Sequence, residues 1–381
     1  MRMKIRLTVY KSKLLPGIVL LAFLSIAFSP NASLSIGDSL HFDKNKLPKG
    51  CGSCHKGHGV SNTPMLPQGR DVFCYRCHGV NSTFQNQKDK VYLASGVTVP
   101  DLQKEFNKPY RHPVELTGIH KHGEILPETD RSAQRHAECA DCHNHHYVTR
   151  ENKSVNIKGV NSQGLTVQNI NSEYELCFKC HSSSANLPAD QRNKREQFNS
   201  SNPSFHPIIS QGKNRDVPSL LYPLNASSII KCTDCHNNDD SLGPKGPHGS
   251  NYEHILKKNF TLSEGSEGPY QYELCYSCHR RESILANESF FYHDLHISIV
   301  NTSCRTCHNP HGSTQYSHLI EFDTMIVSPS SKGYTEFRDL GRKAGECYLT
   351  CHGKDHNPMS YPTAQSLKSS SSRSPGKSLR Y

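Results

Sequence analysis

Residues 174–181 are Tyr-Glu-Leu-Cys-Phe-Lys-Cys-His, and residues 272–279 are Tyr-Glu-Leu-Cys-Tyr-Ser-Cys-His. The two stretches agree at six of eight positions, which indicates an internal duplication. Both end in two cysteines three residues apart, followed at once by a histidine. This pattern occurs eight times in the chain and uses all 16 cysteines. Seven copies are CxxCH, and the last, Cys347-Tyr-Leu-Thr-Cys351-His352, is CxxxCH.

CxxCH is the attachment signature of c-type haem. On one helical turn, positions i, i+3 and i+4 share a face, so both thiols can form thioethers to one haem while the imidazole binds its iron. Positions i and i+4 of the last motif share a helical face too. Zinc and thiol redox sites also use CxxC, but they do not require the histidine. The cysteines predicted to bind haem are Cys51, Cys54, Cys74, Cys77, Cys139, Cys142, Cys177, Cys180, Cys232, Cys235, Cys275, Cys278, Cys304, Cys307, Cys347 and Cys351. The predicted proximal ligands to the irons are His55, His78, His143, His181, His236, His279, His308 and His352.

The chain resembles the multihaem c-type cytochromes, in an octahaem version of the doubled-CxxCH family, over about residues 41–356. Its motifs alternate between a polar type A, such as CADCHNHH at 139–146, and a type B with an aromatic residue after the first cysteine. The A-B order occurs four times with unequal spacing. The resemblance implies mostly coil with short α-helices and very little β-structure, organised around eight covalently bound haems. We expect helices at 99–107, 187–198, 268–289 and 335–351.

The predicted organisation is four haem pairs between two terminal segments. Residues 1–13 carry five basic residues and no acid, and residues 14–28 are an apolar run too short to span a bilayer. We expect a signal peptide at 1–30, cleaved within 27–35, with an uncleaved anchor as the alternative. The predicted haem pairs occupy 31–110, 111–200, 201–290 and 291–363, and a Ser/Lys/Arg-rich tail at 364–381 is predicted to be disordered.

The composition agrees with a chain built around cofactors. Hydrophobic residues make up only 34% of the chain, too few for ordinary cores in 381 residues. The net charge of +10 would suit a nucleic-acid ligand, but it falls to +5 without residues 1–30. Sixteen haem propionates and eight ferric cores would bring the net charge of the oxidised protein to about −3. Full reduction would bring that net charge to about −11. We therefore expect no nucleic-acid partner.

Sixteen histidines remain for the distal iron positions, whereas only Met65, Met325 and Met359 follow the signal segment. Bis-histidine ligation at low potential is therefore expected at most sites, since methionine ligation raises the potential. The resemblance implies two classes of distal ligand. One class follows the A motifs and the other precedes them: His58, His146, His248 and His311, and then His41, His112, His206 and His296. The remaining eight, His293 and His356 among them, are expected at the surface or at propionates.

The leading functional hypothesis is electron transfer in the periplasm or at the cell exterior. Its expected partners are other multihaem cytochromes, an outer-membrane porin-cytochrome complex or further copies of the chain, and no integral membrane segment is expected after signal removal. The alternative is an octahaem oxidoreductase of the nitrite, hydroxylamine, tetrathionate or sulfite type. Such an enzyme needs a special haem, for which the Cys347–His352 motif is the best candidate. A sensory haem protein is the weakest hypothesis, because eight haems exceed what sensing one ligand requires.

Overall fold

The computed structural model describes residues 36–59, 65–67, 70–79, 93–94, 96–114, 137–183, 187 and 191–362. All of these residues lie in one compact unit, Ser35–Tyr381. The predicted signal peptide and the predicted disordered tail lie outside the described residues. The division into four haem pairs stays a prediction.

The described chain is mostly coil and turns, with short helices and few strands, which confirms the predicted fold class. The α-helices are α1 Arg70–His78, α2 Gln103–Phe106, α3 Cys139–Cys142, α4 Glu173–His181, α5 Lys194–Gln197, α6 Glu273–Tyr276, α7 Arg281–Leu285 and α8 Cys304–Cys307. The strands are β1 Tyr110–Arg111, β2 Gly159–Val160, β3 Thr166–Val167, β4 Ser204–Phe205, β5 Gly249–Ser250, β6 Gly312–Ser313, β7 Glu336–Asp339, β8 Gly345–Cys351 and β9 Lys354–Tyr361. Single turns of other helix types occur at Ile36–Asp38, Leu40–Phe42, Gly50–Ser53, Cys232–Asp234, Glu253–Ile255 and Leu295–Ile299.

Three of the four predicted helical segments contain helices, but these are short: α2 in the first, α5 in the second, and α6 with α7 in the third. The helix predicted at 335–351 is wrong. This segment instead forms the antiparallel hairpin of β7 and β8, to which β9 adds a third strand. Gly341 adopts φ +104 between β7 and β8, and its backbone N–H donates to Asp339 Oδ1 at 2.9 Å. That left-handed conformation suits glycine and ends any helix at this point.

Two short antiparallel ladders join distant parts of the chain in the same way. Strand β1 pairs with β5, and β4 pairs with β6. Next to the β1–β5 ladder, the backbone N–H of His112 donates to His248 O at 3.3 Å. Next to the β4–β6 ladder, the backbone N–H of His206 donates to His311 O at 3.1 Å. The internal repeat of the sequence is therefore also a repeat of tertiary contacts. Each ladder places a histidine that precedes an A motif beside one that follows a later A motif.

Glycine is required in both ladders because another backbone lies against its Cα. A Cβ on Gly312 would lie 2.1 Å from Gln197 O, and one on Gly249 would lie 2.0 Å from Glu105 O. These carbonyls belong to short helices and cannot move as a flexible side chain could. The β1–β5 and β4–β6 contacts thus depend on a residue without a side chain.

We expect Gly312→Ala to destabilise the haem-loaded protein by about 1–3 kcal/mol, the usual cost of forcing an extra methyl group into packed structure. Thermal unfolding followed by circular dichroism measures the effect. Gly265→Ala is the matched control, because a Cβ there would meet nothing within 4 Å. Equal melting temperatures for the two variants would contradict the role of this close approach.

The apolar core of the described chain is divided into small clusters. One contains Phe178, Phe198, Phe205 and Ile208. A second contains Tyr75, Phe106 and Val114, and a third contains Ile320, Phe337 and Tyr361. Each cluster also packs against at least one cysteine of a motif. The side chains alone therefore provide little core, and what they provide surrounds the motifs.

Candidate haem-binding sites

Seven of the eight motifs are helical turns. Motifs two and four end helices α1 and α4. In the other five, the backbone N–H of the histidine donates to the carbonyl of the first cysteine: His55 to Cys51, His143 to Cys139, His236 to Cys232, His279 to Cys275 and His308 to Cys304, at 2.8–3.0 Å. The two thiols and the imidazole then lie on one face of the turn, as haem attachment requires.

The residues between the cysteines help to fix these turns. Asp141 accepts from the backbone N–H of Glu138 at 2.7 Å, and Asp234 accepts from that of Lys231 at 2.8 Å. In the seventh motif Ser303 accepts from Thr306 N at 3.2 Å. Each contact satisfies a backbone donor at the start of a turn. Such short turns gain little from helix propensity, so local capping matters for their shape.

Each of the seven histidines in these helical motifs faces a second imidazole. The distances between ring centres are 6.1 Å for His55–His146, 6.4 Å for His78–His41, 6.1 Å for His143–His248, 6.2 Å for His181–His112, 6.1 Å for His236–His311, 6.4 Å for His279–His206 and 6.4 Å for His308–His293. The interplanar angle varies from 8° to 87°, so the shared feature is the separation and not the stacking.

This separation fits an iron between the two rings. An imidazole nitrogen binds a transition metal at about 2 Å and lies ~1.2 Å from its ring centre, so two opposed ligands have centres roughly 6.4 Å apart. Rings in direct van der Waals contact could lie closer, as His145 and His146 do at 4.3 Å. The residues at these seven positions therefore fit a six-coordinate haem iron.

Hydrogen bonds at Nδ1 leave Nε2 available in most of these imidazoles. A metal-bound histidine usually bonds through its other ring nitrogen to a carbonyl or similar acceptor, which orients the ring. Here the Nδ1 partners are His145 O for His41, Pro100 O for His78, Pro247 O for His112, Lys153 O for His143, Pro310 O for His206, His254 O for His236, Ser219 Oγ for His279 and His318 O for His308. The nitrogen left available to an iron in each is thus Nε2.

Burial favours the neutral form of these imidazoles. It lowers the pKa of His248, His279 and His308 to about 4 and that of His293 to about 3. Burial also lowers the pKa of His206 and His311. Neutral imidazole is the form that binds a metal, so no proton has to be displaced from these rings at neutral pH.

The pairs follow a rule of chain order. A histidine that follows an A motif faces the motif histidine of the A motif one repeat earlier, as His146, His248 and His311 do. A histidine that precedes an A motif faces the proximal histidine of the next B motif, as His41, His112 and His206 do. Three of the seven pairs therefore join histidines of different repeats, and the other four join histidines of one repeat.

Two histidines of the predicted distal set do not face a motif histidine in the described chain. His58 is exposed. His296 lies opposite His356, with ring centres 6.5 Å apart. The position opposite His308 is instead taken by His293, for which the sequence predicts a place at the surface or at a propionate.

The eighth motif differs from the others because it lies in a strand. In β8 the Cα atoms of Cys347 and Cys351 are about 13 Å apart, against about 6 Å for the same spacing in a helix. His352 follows the strand with φ +50, is exposed, and contacts Glu264 Oε1 through Nε2 at 2.9 Å. The helical expectation for this motif is wrong, and His352 faces a carboxylate where the other seven face an imidazole.

The pairs lie in the order of their motifs. At each step an imidazole of one pair is close enough to one of the next to interact electrostatically: His146 with His41, His78 with His143, His248 with His112, His112 with His236, His311 with His206, His279 with His308 and His293 with His296. Thiols of successive motifs also meet, since Cys177 contacts Cys232 and Cys275 contacts Cys304. None of the 16 cysteines forms a disulfide.

Comparison with known families finds two matches. Residues 166–321 match the family described as outer membrane cytochrome MtrC/MtrF-like, domains II/IV, and residues 46–83 match the doubled CXXCH motif family. The chain is a multihaem c-type cytochrome. No curated protein and no solved structure matches it. The cytochrome holds haem c through its CXXCH motifs and is an electron-transfer protein.

No helix in the described part of this cytochrome has the length and hydropathy needed to cross a membrane. Sequence reasoning identified the motifs of the cytochrome and noted that His293 competes with His296, but it placed His296 in the distal set. The signal that could have found His293 is its position, because both histidines precede the seventh motif and the chain-order rule needs only one of them.

Proposed function

We propose that this cytochrome carries electrons along a row of eight haems arranged in the order of their motifs. The observation that supports this most directly is the imidazole separation of 6.1–6.4 Å at seven motif histidines. A haem with two imidazole ligands has no vacant site for a substrate, so its chemistry is one-electron transfer. The bound haems supply that redox chemistry, and the protein orders them.

The proposed ligand set follows from the pairs. The motif cysteines hold the haems, and His55, His78, His143, His181, His236, His279 and His308 are proximal ligands to the first seven irons. The distal ligands to these irons, in the same order, are His146, His41, His248, His112, His311, His206 and His293. Bis-imidazole ligation gives lower potentials than a His/Met pair, and burial and exposure set the differences among the sites.

The contacts between successive pairs support a continuous route. The proximity of imidazoles and thiols in successive motifs supports a position for each proposed haem next to the following one. An electron entering at one end can therefore pass through the row without leaving the protein. A donor at one end and an acceptor at the other would use this arrangement fully.

We further propose that the cytochrome is exported and works at the cell surface with other redox proteins. The similarity of residues 166–321 to outer membrane cytochrome domains supports this location. Its partners would be multihaem cytochromes, including those of a porin-cytochrome complex, or further copies of itself.

Carbon monoxide binding distinguishes a carrier from an octahaem oxidoreductase. Reduced holoprotein is expected to bind no carbon monoxide, because every iron already has two axial ligands. Nitrite, hydroxylamine, tetrathionate and sulfite are each added to the reduced protein in parallel experiments. Each is expected to oxidise the haems slowly, at a rate that does not saturate with its concentration. Binding of one carbon monoxide per chain with saturable turnover of one of these substrates would overturn the proposal in favour of the enzyme.

A further inference from the structure

Helix α4 carries the fourth motif, and one of its side chains binds the fifth motif. Glu173, the first residue of the helix, is half-buried, and both of its carboxylate oxygens accept hydrogen bonds from Thr233. Oε1 accepts from the backbone N–H of Thr233 at 2.9 Å, and Oε2 accepts from its hydroxyl at 2.8 Å. Because Thr233 lies between Cys232 and Cys235, the carboxylate holds the turn that carries the fifth pair of thiols.

Another side chain of the same helix binds the third motif. Lys179 lies between the two cysteines of the fourth motif, and its Nζ donates to the backbone oxygen of Asp141 at 2.6 Å. Asp141 lies between the two cysteines of the third motif. One nine-residue helix therefore joins three successive motifs through hydrogen bonds to charged groups, which are stronger than neutral ones.

The fourth and fifth motifs also meet through their thiols. Cys177, the first cysteine of the fourth motif, contacts Cys232, the first cysteine of the fifth. Cys232 also packs against the apolar cluster that contains Phe178 of the fourth motif. Each of these two sulfurs would carry a thioether to its own haem. The separation of the two haems at the boundary between the second and third repeats therefore depends on how α4 holds the fifth motif.

These contacts are not shared by the duplicated stretch of the chain. The residue equivalent to Glu173 is Gln271, and the residue equivalent to Lys179 is Ser277. The hydroxyl of Ser277 donates to Leu274 O at 2.6 Å, within its own motif region. Glu173 and Lys179 therefore act at one place in the row, where it passes from the second repeat to the third.

We infer that Glu173 and Lys179 are positioning residues for electron transfer, which act through the turns that hold the third, fourth and fifth haems. This inference rests on the proposed function, because it concerns the passage of electrons between bound haems. Electrons tunnel from one haem to the next, so the rate depends on the separation of the two cofactors. Loss of the Glu173 bonds would let the fifth motif move relative to the fourth.

Glu173→Ala is the deciding variant, and Glu173→Gln is its conservative partner, because an amide can still bond to Thr233. The full-length holoprotein is characterised by intact mass, electron paramagnetic resonance, amide hydrogen exchange and electron redistribution after pulse-radiolytic reduction. Glu173→Ala should keep the wild-type haem count and low-spin signals, redistribute electrons several-fold more slowly, and exchange the Thr233 amide faster. Glu173→Gln should behave as the wild type. So should Glu196→Ala, the matched control, in which the lost carboxylate is exposed and bonds to Asn193 Nδ2 at 2.9 Å.

Two further variants separate the contacts. Thr233→Val keeps the backbone bond and loses the hydroxyl bond, so its redistribution rate should lie between those of the wild type and Glu173→Ala. Lys179→Met should slow redistribution without changing exchange at Thr233.

Wild-type redistribution in Glu173→Ala, with its haems retained and its Thr233 amide exchanging faster, would overturn the inference, while electron transfer through the row would stand. If Glu173→Ala failed to retain its haems, Thr233→Val would decide, and a wild-type rate in that variant would overturn the inference. Absence of any redistribution among the haems of the wild type would instead count against the carrier function itself.

Discussion

A preparation of this chain without attached haem is expected to be unfolded. The three buried apolar clusters in the described chain contain four, three and three residues, far fewer than a domain of this length needs. The seven helical motifs are single turns or the ends of short helices, which are unstable without tertiary contacts. Removing the haems also removes the apolar groups around which these clusters would pack.

Amide hydrogen exchange and thermal unfolding measure this effect. Protein secreted without haem attachment should exchange its amides at the rates of an unstructured chain and show no cooperative transition. The haem-loaded protein in the same buffer is the control and should unfold cooperatively. A cooperative transition in the haem-free chain would show that the polypeptide holds its own core.

Replacing a distal histidine is expected to leave one haem iron with a vacant axial position. His311 is the best choice, because its ring lies parallel to that of His236 within 8° and the backbone ladder at Gly312 does not need the imidazole. His311→Ala should convert one haem of eight from low-spin to high-spin and let the reduced protein bind one carbon monoxide per chain. The potential of that haem should rise, because the second imidazole favours ferric iron.

Absorption difference spectra with carbon monoxide quantify this change. His254→Ala is the matched control, since only its backbone carbonyl contacts His236 and its exposed side chain lies 3.7 Å from Glu253. If His311→Ala stayed fully low-spin with no carbon monoxide bound, His311 would not be the ligand opposite His236.

The spacing of cysteines and histidines was sufficient to predict the fold class, because haem attachment imposes its own pattern on the chain. The repeat also indicated six of the histidines that the structure places opposite motif histidines. One of them is His248, which an insertion shifts along the sequence relative to its counterparts in the other repeats. These positions follow from local patterns such as Pro247-His248-Gly249-Ser250 and Pro310-His311-Gly312-Ser313.

Assigning partners required the fold. His248 faces His143, more than 100 positions away, because the β1–β5 ladder joins separate repeats. His58 and His293 depart from the expected distal set, and only the fold shows which of the two histidines before the seventh motif lies opposite His308. The helix expected at 335–351 also gave way to tertiary structure, since the turn at Gly341 lets Phe337 pair beside Cys347.

Near-infrared magnetic circular dichroism of the oxidised protein tests the central claim most directly, because its charge-transfer band identifies the axial ligand pair of low-spin ferric haem. With haem content fixed by intact mass, we expect intensity for eight bis-imidazole haems per chain and no band from another ligand pair. Intensity for fewer than seven such haems, or a band from methionine-ligated or high-spin iron among the first seven sites, would contradict the arrangement of imidazole pairs described here.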